Sequence, residues 1–267
     1  QQELLTNSYL INSYLKKIMI KLPKEKQTML FSATMPKTIV SLANSLLRNP
    51  KCIEVTPESP TVEKIEQKIY MVGQVDKLRL LKDLLKNEAP QKTLVFTRTK
   101  HGADRIVKEL NKAQIDSAAI HGNKSQGARE RALKIFKEGK VGVLVATDIA
   151  ARGIDIDQIT HVINYNLPED GENYVHRIGR TARAGREGIS ISFCEATEVK
   201  LLKNIQKFIK YEIPIEENHP YHVRHTHEEI EIQEKRKKED KAKRVEMRKK
   251  SRIKNNSHKK ISNRKRR

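Results

Sequence analysis

Tryptophan is absent and aromatic residues make up only 4% of the chain, so stacking of bases on an aromatic platform is not its means of gripping a nucleic acid. Only two cysteines occur, Cys52 and Cys194, far apart and without a CxxC spacing. That argues against a disulfide framework and a thiolate zinc site, and fits a reducing cytosol. No apolar run approaches the roughly 20 residues that span a bilayer. No secretory pattern is visible either, so a cytoplasmic protein is expected. Acidic residues are scarce: 33 Asp and Glu stand against 54 Lys and Arg, leaving a net charge of +21. An excess of this size points to a polyanion, nucleic acid before a membrane surface, with solubility alone as the plainer alternative. Apolar residues are 37% of the chain, few enough that part of it is expected to lack a core. The first residue is Gln1 rather than Met, which suggests an incomplete chain.

The apolar residues that are present are regularly placed. Residues 8–22 read as an amphipathic helix stopped by Pro23, Gln27–Phe31 as a short buried strand, and Ser32-Ala33-Thr34 as the loop after it. Pro36 opens a helix through Leu47, and Cys52–Val55 reads as another strand. Residues 1–55 thus form strand–helix–strand, too little sheet to stand alone. The proline-containing stretch 56–64 reads as a linker. Residues 65–212 then alternate apolar strands (65–72, 93–97, 117–120, 141–146, 160–165, 188–193) with amphipathic helices (76–87, 101–113, 126–138, a short one after 146, 171–179, 197–210). This is an α/β pattern, a parallel sheet covered by helices on both faces, in which ligands bind beyond the carboxyl ends of the strands. Residues 213–267 read as a basic disordered tail. From Lys235 onward it carries eighteen Lys and Arg against three Asp and Glu, and it has too few apolar residues to offset its ordering entropy.

Four segments carry chemistry. In Tyr174–Gly188, YVHRIGRTARAGREG, arginines recur every third residue at Arg177, Arg180, Arg183 and Arg186. Like charges at helical spacing repel, a cost that makes sense if a phosphate chain faces them, since guanidinium grips phosphate through paired donors. A solvated basic helix face is the alternative. In Val143–Ile156, VLVATDIAARGIDI, a buried strand ends at Thr147-Asp148 and is followed by Gly153 and Asp155; Asp155 could accept ribose hydroxyls or simply cap a helix. In Ile120–Arg131, IHGNKSQGARER, Gly122 permits a sharp turn, and Gln126 and Arg129 lie three apart at a helix start, where backbone N–H groups favour anions. The fourth, Ser32–Thr34, is by itself an ordinary turn. His219, His222, His225 and His227 are spaced as metal ligands could be, but no supporting Cys or carboxylate pattern accompanies them, and a polar linker is the reading.

Taken together and in this order, the segments resemble superfamily 2 helicases, specifically DEAD-box RNA helicases, over roughly residues 20–212. Ser32–Thr34 matches motif III, LVFTRTK at Leu94–Lys100 motif IV, HGNKSQGAR the QxxR segment, VLVATDIAARGIDI motif V and HRIGRTARAGR motif VI. Leu201–Pro214 and the basic tail are similar to the bacterial RhlE-like subgroup. The resemblance implies a RecA-like fold and an ATP-driven clamp that pries short RNA duplexes apart. It implies that Arg180 and Arg183 are arginine fingers, that His176 links motif III to the γ-phosphate, and that Asp155 and Gly153 belong to the ATP site. Thr97, Arg98, Gly122, Gln126, Arg129, Thr147 and Asp148 fall on its RNA-backbone face. Ser32, Thr34 and Arg152 fall at the junction between motor domains. ATP with Mg²⁺, the metal held by a first domain, and RNA are the implied partners. Proteins of ribosome assembly or RNA decay are left open, and no membrane is implied.

The sequence departs from that pattern. Ala182 stands where the family usually has Gly, a minor change if only size matters. No GxxxxGK[ST] phosphate loop, DEAD sequence or Q motif occurs, and Gln1–Tyr14 lacks the MLDMGF-like run that follows DEAD. The chain reads as half an enzyme, a fragment of a helicase or a broken gene, expected to bind RNA without hydrolysing ATP. A DNA helicase of the same superfamily is a rival, but HRIGRTARAGR favours RNA. Residues 235–267 should supply most of the RNA affinity of this chain by counterion release. That contribution should fall ~10³-fold or more between about 50 and 200 mM salt if six or more phosphates are engaged. Titrating a labelled single strand and a duplex with the whole chain, and with a chain cut after Tyr211, checks this; equal affinities and salt slopes would refute it.

Overall fold

The computed structural model describes residue 15 and residues 17–32, 35, 37–54, 65–87, 92–151, 156, 158–182 and 187–223. The chain divides into two compact units, Gln1–Thr56 and Pro57–Arg267. In the first unit, helix α1 spans Lys37–Leu46, close to expectation. Of the helix expected over residues 8–22, Leu15 and residues 17–21 are described, and they are helical. Neither expected strand forms: Gln27–Phe31 and residues 51–54 have no strand pairing, and Met29, Phe31 and Ile53 are 68%, 86% and 86% exposed. A strand is stable only against a hydrogen-bonded neighbour, and this unit offers none among its described residues. The linker at residues 56–64 lies outside the described residues.

The second unit is a six-stranded sheet: β1 Ile65–Met71, β2 Thr93–Phe96, β3 Ser117–Ile120, β4 Val143–Ala146, β5 His161–Asn164 and β6 Gly188–Cys194. Its spatial order is β1-β6-β5-β2-β4-β3, and every pairing is parallel. The central strands TLVF and VLVA are buried at every residue, which is why they read as unbroken apolar runs. Helices α2 Lys77–Asn87 and α3 Lys100–Lys112 cover one face, packing Leu80, Leu81, Leu84, Ile106 and Leu110 against Val95, Val145 and Phe193. The other face carries α4 Gln126–Lys137, α5 Asp148–Ala151, α6 Gly171–Ile178 and α7 Val199–Ile209, with Phe136 on Leu94 and Leu144, and Tyr174 and Ile205 on Ile69. Side-chain oxygens of Thr99, Ser125 and Asp170 cap α3, α4 and α6 by accepting from backbone N–H groups three residues on. Burial pushes the Cys194 thiol up to about 12, so this sulfur is inert packing.

Two features go beyond expectation. Lys77, fully buried at the start of α2, donates to Glu198 at 2.6 Å, and Arg98 donates to the other Glu198 oxygen at 2.9 Å. One buried carboxylate thus ties α2, the loop after β2 and the turn before α7 together. The second feature corrects the tail boundary, because order does not end at residue 212. Residues 213–223 form a strap along edge strand β1: Ile69 N–H donates to the Pro214 carbonyl, Glu216 N–H to that of Ile69, and Val223 N–H to that of Met71. Ile213 is 2% exposed, and the Tyr221 hydroxyl reaches Asp83 at 2.6 Å. Residues 224–267 lie outside the described residues. Ile213→Ala should cost about 2–5 kcal/mol in a denaturant titration; a loss under about 0.5 kcal/mol, the range of surface substitutions, would return this segment to the tail.

Candidate functional site

Three neighbouring strands, β2, β4 and β3, deliver their following loops to one rim of the sheet. Thr97 and Arg98 follow β2, Gly122 follows β3 and leads to Gln126 and Arg129 on α4, and Thr147 and Asp148 follow β4. The structure thus brings every described member of the expected RNA face onto adjacent loops or the first turns of the helices that follow them. Their side chains are differently employed. Thr97 is 2% exposed and donates its hydroxyl to Asn166 Oδ1 at 3.2 Å. The Thr147 carbonyl accepts from the Ala150 and Ala151 amides and so opens α5. Gln126 is exposed and donates to Glu130 at 2.9 Å. Arg129 Nε is buried with no hydrogen-bond partner among the described residues. A Cβ on Gly122 would meet no atom within 4 Å, so the fold itself does not require glycine there.

The arginine series divides. Arg177 is 3% exposed and forms a fork on Asp148, Nε to Oδ1 at 2.6 Å and Nη2 to Oδ2 at 2.9 Å. Its Nη1 donates to Asn164 Oδ1 at 3.1 Å and to the Asn166 carbonyl at 2.8 Å, and its guanidinium lies 5.0 Å from the Phe96 ring centre. The expectation that the whole series faces phosphate is therefore wrong for Arg177. It is turned into the domain, where a fixed planar donor set meets a carboxylate and two carbonyl oxygens at once. The Asp148 carboxylate is likewise engaged within the domain.

His176 and Arg180, on either side of Arg177 in the chain, are both half-buried. Arg180 follows Gly179, which closes α6. Ala182 has φ +54°, the left-handed region that favours glycine, so replacing glycine here costs backbone strain of about 1–2 kcal/mol rather than space. Arg183, Asp155, Gly153, Arg152 and Thr34 lie outside the described residues. Ser32 is described in the first unit, where it is exposed.

Residues 76–185 match the family of helicase conserved C-terminal domains. The chain is 43% identical over 194 residues to the DEAD-box ATP-dependent RNA helicase RhpA of Helicobacter pylori, covering 73% of this chain and 39% of that protein. It is 44% identical over 192 residues to the ATP-dependent RNA helicase DbpA of Bacillus subtilis, covering 72% and 40%. Among solved structures, the Escherichia coli DEAD-box protein SrmB, bound to the regulator of ribonuclease activity RraA, is 37% identical. It has a TM-score of 0.57 and covers 60% of this chain and 95% of that one. The chain belongs to the DEAD-box helicase family. It spans about two fifths of the length of these curated relatives. Saccharomyces cerevisiae Dbp5 bound to RNA and ADP BeF3 is 30% identical, with a TM-score of 0.66 and coverage of 74% and 53%.

The DEAD-box assignment explains which loops bear motifs; the geometry shows what supports them. Asn166 was not singled out by sequence, although a second asparagine directly after the strand segment VINY is a visible signal. Nor was the cluster around Asp104 on α3. His121, 2% exposed, approaches Asp104 Oδ1 at 3.0 Å, and Lys124 Nζ pairs with the same oxygen at 2.9 Å. Partial burial raises the Asp104 pKa, but the His121 and Lys124 contacts outweigh it and hold the carboxyl below its ordinary value. This pins the loop bearing Gly122 to α3, helped by Lys100 donating to Asn123 at 2.9 Å. The His219 and His222 rings pack edge to face at 5.5 Å, and among the described residues no group of three or more His, Cys, Asp or Glu stands in a metal-binding array. No described helix is long and apolar enough to cross a membrane.

Arg177→Ala should destabilise the domain by about 2–4 kcal/mol. This is less than loss of a fully buried partner would cost, because water can rehydrate the partly exposed Asp148. Arg177→Lys should restore little, lacking the planar fork. Arg180→Ala should destabilise less than Arg177→Ala, because Arg180 is only half-buried. Equilibrium denaturation of the three variants separates these outcomes; equal effects at the two positions would refute the division.

Proposed function

We propose that this chain is the C-terminal part of an ATP-dependent DEAD-box RNA helicase, in which it supplies the second motor domain. Arg177 carries the reading. Its withdrawal into the domain explains one arginine of the series structurally, and this reading assigns Arg180 and Arg183 to the nucleotide. Arginine at a γ-phosphate neutralises charge that builds in the transition state. His176 on the same helix joins the γ-phosphate side to motif III, at Ser32 and Thr34, and Asp155 and Gly153 serve the nucleotide. ATP would arrive with Mg²⁺, whose ligands this reading assigns to the first motor domain.

RNA is read through its backbone. Arg98 and Thr147 on adjacent loops, with Gln126 and Arg129 on the first turn of α4, present side-chain donors along one rim. Gly122 gives clearance to an approaching strand. Thr97 and Asp148 hold these loops from beneath. Support comes also from Dbp5, solved with RNA and ADP BeF3. Protein partners and the RhlE-like subgroup belong to this reading too; the subgroup rests on Leu201–Pro214 and the basic tail. Lacking a phosphate loop and a DEAD sequence, the isolated chain binds RNA without turnover.

In the full-length protein, Arg180→Ala should lower RNA-stimulated ATP turnover by about 10³-fold or more, while RNA binding without nucleotide holds. Steady-state turnover and an RNA titration decide; near-normal turnover with collapsed RNA binding would make Arg180 an RNA contact instead.

A further inference from the structure

Between helix α6, which bears His176 and Arg177, and the loop that bears Thr97 and Arg98 stands one residue with hydrogen bonds to both. Asn166 lies two residues beyond β5, half-buried. Its main-chain carbonyl accepts from Arg177 Nη1 at 2.8 Å. Its side-chain Oδ1 accepts from Thr97 Oγ1 at 3.2 Å and from the Arg98 amide at 3.2 Å. The next carbonyl, that of Leu167, accepts from Arg98 Nη2 at 3.4 Å. The turn at Asn166 is therefore gripped from one side by α6 and itself grips the first two residues after β2.

This arrangement is more than a turn staple. A turn after a strand is satisfied by bonds within its own few residues. Here the bonds run to Arg177, Thr97 and Arg98, on elements that serve different ligands. Arg177 cannot shift freely, because its remaining donors are fixed on Asp148 and Asn164. Displacement of α6 is thus passed to the Asn166 carbonyl and, through Oδ1, to the backbone at Arg98. The far end of the Arg98 side chain is anchored on the buried Glu198, so a shift at its amide tilts the side chain rather than translating it.

We infer that Asn166 is the positioning residue through which the nucleotide-facing helix α6 and the RNA-facing turn at Thr97 and Arg98 influence one another within this domain. This rests on the helicase reading above. Asn166 touches neither ligand in this account; it sets the linkage between them. Linkage is a ratio, the affinity for RNA with nucleotide bound over that without, and nucleotide affinity must respond to RNA by the same factor.

The test is made in the full-length protein that carries this domain, with a labelled RNA strand titrated with and without a non-hydrolysable ATP analogue. Asn166→Ala should reduce the ratio about fivefold or more, with nucleotide-free RNA affinity within about twofold of wild type, a difference of ~0.4 kcal/mol. Asn166→Asp should restore the ratio, because a carboxylate oxygen also accepts from Thr97 and Arg98. A purely structural role would lower melting temperature and affinity together and leave the ratio in place. An unchanged ratio in folded Asn166→Ala, or failure of Asn166→Asp to restore it, overturns the proposal. If Asn166→Ala does not fold, Thr97→Val removes one of the two donors to Oδ1; the ratio must fall there too, and an unchanged one overturns the proposal. A wild-type ratio of one overturns the helicase reading itself, and this inference with it, an outcome distinct from any failure of the variants.

Discussion

A single fork of hydrogen bonds, Arg177 on Asp148, holds the working rim of this domain together. It joins α6 to the start of α5, and its spare donor reaches Asn164 and Asn166 at the end of β5. Strand order makes the position effective, because β5, β2 and β4 are consecutive neighbours. Loops that would otherwise move on separate tethers are locked at their roots, and the side chains beyond them inherit that rigidity. Pre-organised donors are worth more to a charged ligand than mobile ones, since no ordering cost falls at the moment of binding.

The composition acquires a meaning beside this. In a chain of net charge +21, acids are scarce, and several of them hold basic side chains. Glu198 holds Lys77 and Arg98, Asp104 holds His121 and Lys124, and Asp148 holds Arg177. These acids fix some of the bases as scaffold; only the rest of the excess enters the proposed contact with a polyanion. The same residue type therefore plays two parts, which net charge alone does not separate.

That ambiguity marks the limit of what could be read without coordinates. Strands β2 and β4 were legible because burial on both faces leaves only apolar residues, and the helices because their caps and apolar stripes are explicit. Arg177 and Arg180 were not distinguishable by spacing: which of them turns inward depends on Asp148 and Asn164, brought near by the sheet and not by sequence. Apolar runs at Gln27–Phe31 and Cys52–Val55 signalled strands, but pairing is a property of two segments, and no partner stands among the described residues. Residues 213–223 read as tail because they hold two prolines and no helical or alternating apolar pattern. Their ordering comes from main-chain bonding to β1, which composition does not encode. Ala182 was judged by volume, whereas its backbone angle is what matters.

The strap along β1 bears on how the molecule behaves in company. An edge strand offers a row of unsatisfied N–H and C=O groups to any extended chain that meets it. Here Ile69 N–H, Ile69 C=O and Met71 C=O are already taken by Pro214, Glu216 and Val223, so that side of the sheet is occupied from within. The opposite edge, β3, is only four residues long, a poor template for strand addition. Eleven residues that look dispensable in the sequence thus cover an edge of the sheet to which an extended chain could otherwise add.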